Sequence, residues 1–214
     1  MRRLLQGRAR LVAFLSIAAL VAASIWAVAT YRHRLARRVP AADPIAAQIL
    51  AAAKAQIGTR YDGSYRVIAY LGGDVPARTG ACTDIVIRSL RGAGIDLQER
   101  VHDDMASDRA AYPRYGGASL DTSIDHRRVP NVARCPSRHA ASLPLASGPA
   151  QLSEWRPCDI VCWKTLFGRD HIGIISDGRD AEGAPFVIHN EYGCVEENCL
   201  GRWKIVGHYR IRNR

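Results

Sequence analysis

The sequence predicts an α+β protein, on three observations. Apolar residues in the first half recur at helical spacing behind N-cap residues, the last third breaks into short β-branched and aromatic runs, and Gly and Asp turns divide those runs. Helices first and an antiparallel sheet afterwards is the order in which such a protein lays one layer on the other. With 214 residues, 48% of them hydrophobic, the chain is too apolar to be disordered and long enough to bury one core.

Residues 11–30, LVAFLSIAALVAASIWAVAT, carry no charge and match the roughly 20 residues a helix needs to cross a hydrocarbon core. Four Arg on each side leave the orientation undecided by charge count. A short basic leader before one apolar run is the secretory arrangement, and Ala27-Val28-Ala29 offers an A-x-A cleavage site. Residues 1–40 therefore read as a signal or membrane anchor with Met1 to Arg10 cytoplasmic. Residues 41–214 read as one periplasmic or otherwise extracytoplasmic domain, tethered through residues 11–30 if the leader is not cleaved. The formal charge of +10 lies mostly in the leader, whose eight Arg face no acid; beyond it 22 basic residues meet 20 acidic ones. That leaves no basic stripe for a phosphate backbone, so nucleic-acid binding is excluded.

Asp43-Pro44 followed by IAAQILAAAKAQIG reads as an N-cap, a first-turn Pro and a helix stopped by Gly58. YDGSYRVIAYLGGDVPARTG is dense in Gly, Pro and Asp and reads as an extended loop. In ACTDIVIRSLRGAG the apolar residues Ile85, Val86, Leu90 and Ala93 fall at helical spacing before Gly94, which sets Cys82 at a helix N-terminus. A third helix is expected after Asp96, with Leu97, Val101 and Met105 spaced by four, ending before Tyr112-Pro113. Residues 113–157 read as a long irregular excursion. DIVCWKT, HIGIIS, PFVIHN and WKIVGHYRI are the strands.

A thiolate is the nucleophilic form of cysteine, and the free N–H groups of a helix N-terminus favour it, so Cys82 is the candidate nucleophile. His171 opens one strand and His189 ends another, and antiparallel pairing would bring both to one sheet edge as base and orienting residue. The Cys82 N–H would point where an acyl oxyanion develops, with Tyr70 as a second donor.

The residues GDVPARTGACTDIVIRSLRGAGIDLQERVHDDM, IDHRRVPN, RPCDIVCWK, HIGIISD, VIHNEYG and WKIVGHYR resemble the YijF-like bacterial family called domain of unknown function 1287, from about Ala46 to Arg210. That family is similar to the NlpC-type papain-like cell-wall cysteine peptidases. The resemblance implies a papain-like fold, with Cys82 the nucleophile, His171 the base, His189 the orienting residue and Tyr70 the Tyr of a Y-x-G-G turn. It also implies a thiol hydrolase of amide bonds, with peptidoglycan stem peptide as the substrate. The sequence departs from the pattern in two places. Ala81-Cys82-Thr83-Asp84 stands where NlpC-type enzymes carry D-C-S-G, and the long interval from His171 to the third residue leaves Asn190 as an alternative to His189. A non-catalytic envelope binding module and an acyltransferase using the same residues are the rival readings.

Asp84 reads as favourable charge in a first helical turn. Asp125, His126 and Arg127 are candidates for reading substrate, since Arg forks bind carboxylates in bidentate fashion. His102-Asp103-Asp104 cannot close on one ion because helical neighbours one apart do not share a face, and no metal or cofactor is expected. Cys135, Cys158, Cys162, Cys194 and Cys199 suggest disulfides in an oxidising compartment, Cys194 with Cys199 and Cys135 with Cys158 or Cys162. A monomer is expected.

Overall fold

Asp43 starts the first ordered helix of the body as its sequence requires: its side chain accepts the Ala46 N–H at 2.8 Å and Pro44 occupies the first turn. This helix is α1, Pro44–Lys54, in the computed structural model, which describes residues 15–24, 37–113, 119–139 and 141–211. Helix α2 runs Cys82–Arg91, and α3, Leu97–Ser107, is capped by Asp96 at 2.8 Å from the Gln98 N–H. Almost all of α2 is buried, from Cys82 through Leu90. It crosses α1 so closely that a Cβ on Gly92 would meet Ala52 Cβ at 2.6 Å.

A fourth helix, α4, Val129–His139, lies in the stretch that reads as irregular. Pro136 inside it and the absence of a long apolar stripe hide it from periodicity. The excursion is thus partly ordered and has its own core, in which Val101, Met105, Tyr112 and Cys135 pack together.

Two short strands, β1 (Arg60–Tyr61) and β2 (Thr79–Gly80), pair in parallel and deliver the chain to α2. The main sheet contains β3 (Ala141–Ser142), β4 (Ile160–Lys164), β5 (Asp170–Arg179), β6 (Pro185–Asn190), β7 (Cys194–Glu197) and β8 (Lys204–Arg210). Its order is β3-β8-β4-β5-β6-β7, each neighbour antiparallel. Strand alternation sorts the side chains. Ile160, Cys162, Ile172, Ile174 and Ile188 face α1 and α2 in the larger core, while Val161, Trp163, Ile175 and Val187 face a second core with Trp155, Cys199 and Leu200. The α+β class and the helix-then-sheet order follow from this arrangement.

One expectation is corrected. The six cysteines are free thiols, because the expected partners are buried in separate cores: Cys194 on the helix side, Cys199 on the other side, and Cys135 against α3. No bridge links Cys194 to Cys199 or Cys135 to Cys158 or Cys162. The chain divides into two units, Met1–Arg37 and Arg38–Arg214. In the first, residues 15–24 are helical. Among the described residues no helix is long and apolar enough to cross a membrane; the rest of the 11–30 run lies outside the described residues, so the expected anchor helix is without structural support.

Candidate active site

Cys82 opens α2 immediately after β2, and the chain there is held from three sides. Asp84, in the first turn, accepts the Ala81 N–H at 2.6 Å and receives the Arg127 fork at 2.8 and 2.9 Å. Thr83 donates to the Arg127 carbonyl at 3.0 Å. Asn190, the last residue of β6, donates to the Gly80 carbonyl at 2.9 Å. The Cys82 sulfur faces the start of β5, where the N–H of Ile172 favours its thiolate, as does the N–H of Thr83. Burial outweighs both and pushes the thiol up to about 12, with the Asp84 charge adding to the rise. The depressed thiol pKa expected from the helix N-terminus is therefore not found, because Cys82 is only 7% exposed.

His171 precedes Ile172, and its ring engages His189 across the sheet. The register pairs Gly173 with His189, so the two histidines are diagonal neighbours on one face. A Cβ on Gly173 would meet His189 Cβ at 3.1 Å, and the missing side chain gives the imidazole its room. His171 Nε2 lies 2.8 Å from His189 Nδ1. His189 Nε2 in turn lies 2.9 Å from Glu197 Oε1, another diagonal step, to β7. Arg202 closes the series with two bonds to Glu197, at 2.6 and 2.7 Å.

Aromatic rings wall this line. Trp163, paired with His171 on β4, stacks on it at 5.7 Å, and Trp203 stands edge-on to His171 at 5.2 Å. Burial lowers the His171 pKa to about 3, helped by His189 and Arg202. Hydrogen bonds from His189 and Arg202 lower Glu197 to about 2. Among the described residues no hydrogen bond joins the Cys82 sulfur to either imidazole. Cys82 packs with Ile172 in the helix-side core, whereas His171 lies against Trp163 of the second core.

The model of the family described as "Domain of unknown function (DUF1287)" matches residues 49–211. The chain belongs to the DUF1287 family. It is 44% identical to "Uncharacterized protein YijF" of Escherichia coli (strain K12) over 183 residues, covering 80% of this chain and 88% of that one. Two crystal structures of an N-acetylmuramoyl-L-alanine amidase from Bacteroides uniformis ATCC 8492 are similar at 13% identity, with TM-scores of 0.49 and 0.47; each match covers 80% of this chain and 100% of the other.

Other candidate residues of this DUF1287 chain lie apart from the histidine line or serve the fold. Tyr70 rests on α3 with its ring 5.0 Å from His102, half exposed. Tyr61, which the sequence leaves in a loop, occupies β1 opposite Gly80 and lies within electrostatic reach of Cys82. Its only sequence signal is a short Arg-Tyr step between two Gly residues. Arg127 is 7% exposed and its fork is occupied by Asp84, so it secures the head of α2 and has no fork left for a substrate carboxylate. Asp125 caps the Asp121 N–H at 2.7 Å, and His126 is buried, its pKa lowered to about 4 by burial. Asn190 holds Gly80 and is not bonded to His171. Glu197 and Arg202 carry no sequence signal: one ends a four-residue strand and the other sits in a turn.

Donor atoms of His189, Glu197 and Cys199 lie within 4.8 Å of one another. The Arg202 guanidinium already satisfies both Glu197 oxygens there, so the resident cation of this corner is an arginine. Asp104, from the sequence cluster that resembles a ligand set, binds Arg138 at 2.9 Å and His139 at 2.8 Å, whereas His102 turns to Tyr70.

Proposed function

We propose that this protein is a thiol hydrolase of amide bonds with a papain-like site, acting outside the cytoplasm on peptidoglycan stem peptides. One observation carries the reading. A cysteine at a helix head sits against the start of β5, the strand that carries His171, and His171 is hydrogen-bonded through Nε2 to a second, buried histidine. That bond leaves Nδ1 of His171 as the nitrogen able to take the thiol proton. The substrate class follows from the resemblance to NlpC-type enzymes.

In the first half-reaction the Cys82 sulfur adds to the amide carbonyl as its proton passes to His171 Nδ1. The oxyanion meets the Cys82 N–H at the start of α2. Collapse breaks the C–N bond, and the proton on His171 goes to the departing amine, leaving an acyl-thioester. Water then gives its proton to His171 and its oxygen to the carbonyl; the acid leaves, and the proton returns to the sulfur.

The test is hydrolysis of peptidoglycan and synthetic stem peptides by the full-length protein beside Cys82→Ala. Turnover by the wild type and a loss of about a thousandfold or more in the variant are expected, the general base and covalent route being worth at least that together. Equal rates, or no turnover of any amide, would overturn the reading. The high thiol pKa favours one rival, a binding module of the same fold. Alkylation by iodoacetamide separates them: a nucleophile reacts at Cys82 more slowly after His171→Ala, whereas an inert thiol is indifferent to that change.

A further inference from the structure

The hydrogen-bond line through the two histidines ends on Glu197, and that end decides where every proton on it sits. A neutral imidazole using both nitrogens donates with one and accepts with the other. Glu197 is ionised, bound by the Arg202 fork at 2.6 and 2.7 Å, and an ionised carboxylate only accepts. The 2.9 Å contact with His189 Nε2 therefore requires that nitrogen to carry hydrogen. In the neutral His189 ring Nδ1 then has only a lone pair, so the 2.8 Å contact with His171 Nε2 requires a hydrogen there too. His171 Nδ1 is left bare.

We propose that Glu197, clamped by Arg202, is the positioning residue that orders the tautomers of both histidines and so makes Nδ1 of His171 the base. Its use in turnover rests on the thiol-hydrolase reading above; the tautomer assignment does not. Glu197 touches neither substrate nor sulfur and acts through two rings in series, each diagonal to the next across β5, β6 and β7. When His171 Nδ1 takes the thiol proton, the new imidazolium donates through Nε2 to His189 Nδ1. The Glu197 charge stabilises that cation at a distance while its proton stays on His171. The rigid supports are Trp163, stacked on His171, and Trp203, which stands edge-on to both histidines and lies under the Arg202 guanidinium at 5.3 Å.

The experiment is long-range 1H–15N correlation on the full-length protein labelled at histidine, assigned by single histidine substitutions, beside Glu197→Gln. In the wild type both His171 and His189 should show Nε2–H and a bare Nδ1. In E197Q the amide can donate to His189 Nε2, which reverses both rings and puts hydrogen on His171 Nδ1. Turnover should then fall by about a hundredfold or more with KM kept, as a wrong tautomer does in a serine triad. A purely structural role for Glu197 would lower stability and leave the tautomers alone. Nδ1–H on wild-type His171, or unchanged tautomers in E197Q, would overturn the proposal. If E197Q fails to fold, the wild-type spectrum still decides. Reversed tautomers in E197Q with no amide hydrolysis by the wild type would support the relay and sink the hydrolase reading alone.

Discussion

At Gly173 an added methyl group would approach Val187 Cγ1 to 2.8 Å and His189 Cβ to 3.1 Å. Both neighbours belong to a packed strand, so the added carbon must push β6 away from β5. Gly173→Ala is expected to lower stability by about 1–3 kcal/mol, the cost of overpacking, and to open the 2.8 Å bond between the imidazoles. Activity should fall by about tenfold or more, in line with the share a general base contributes. Chemical denaturation and a stem-peptide assay check the two parts; a stable variant with full activity would remove Gly173 from the site's design. The same scale shows what sequence reasoning can see. Cys82, His171 and His189 stand out because helix starts and strand ends are local features. Tyr61, Glu197 and Arg202 do not, since each matters through a partner far away in the chain.

For helix α2 the decisive contact is the Asp84–Arg127 pair, whose side chains are 3% and 2% exposed. A buried pair is weak support for stability as a whole, yet breaking it by removing one member leaves a charge in a dry place. Asp84→Asn is therefore expected to cost about 3–5 kcal/mol, read as a lower urea midpoint. Adding Arg127→Met should recover part of that loss, because the stranded guanidinium goes with it. A double variant no more stable than Asp84→Asn would contradict this account. Periodicity locates α1, α2, α3 and the strands β4, β5, β6 and β8 in the sequence. It misses α4, where Pro136 and interspersed polar residues mask the buried Val132 and Cys135, and it misses β7, a four-residue strand with only Cys194 and Val195 apolar. Both depend on a neighbouring element to be stable, and neither carries a pattern strong enough by itself.

Across the whole molecule, buried imidazoles make stability depend on acid. His171 and His126 have folded pKa values near 3 and 4, below the ordinary 6.5. As pH falls, the unfolded chain takes up these protons first. Stability is full above about 6.5 and declines below it, by about 1.4 kcal/mol per pH unit for each ring. Glu197 adds a further loss as pH falls from 4.5 towards 2, when the carboxylate held by His189 and Arg202 is protonated in the unfolded chain. Urea midpoints at pH 7.5, 6.0 and 5.0 check the first window. A flat profile would contradict the burial of these rings, and His126→Asn should make the slope shallower by one proton.

What the sequence by itself determined is local: where helices begin, which stretches are strands, and that a cysteine heads a helix ahead of two strand-end histidines. Those properties are written in spacing and capping, which reach no further than a few residues. The tertiary structure alone decided that His171, His189, Glu197 and Arg202 form one hydrogen-bonded line, that Arg127 serves the helix head, and that Cys194 and Cys199, like Cys135 and its expected partners, are buried in separate cores. The reason is register. A shift of one residue between β5, β6 and β7 would send these side chains to opposite faces, and register is set by the packing of the whole sheet against its helices, which no single segment encodes.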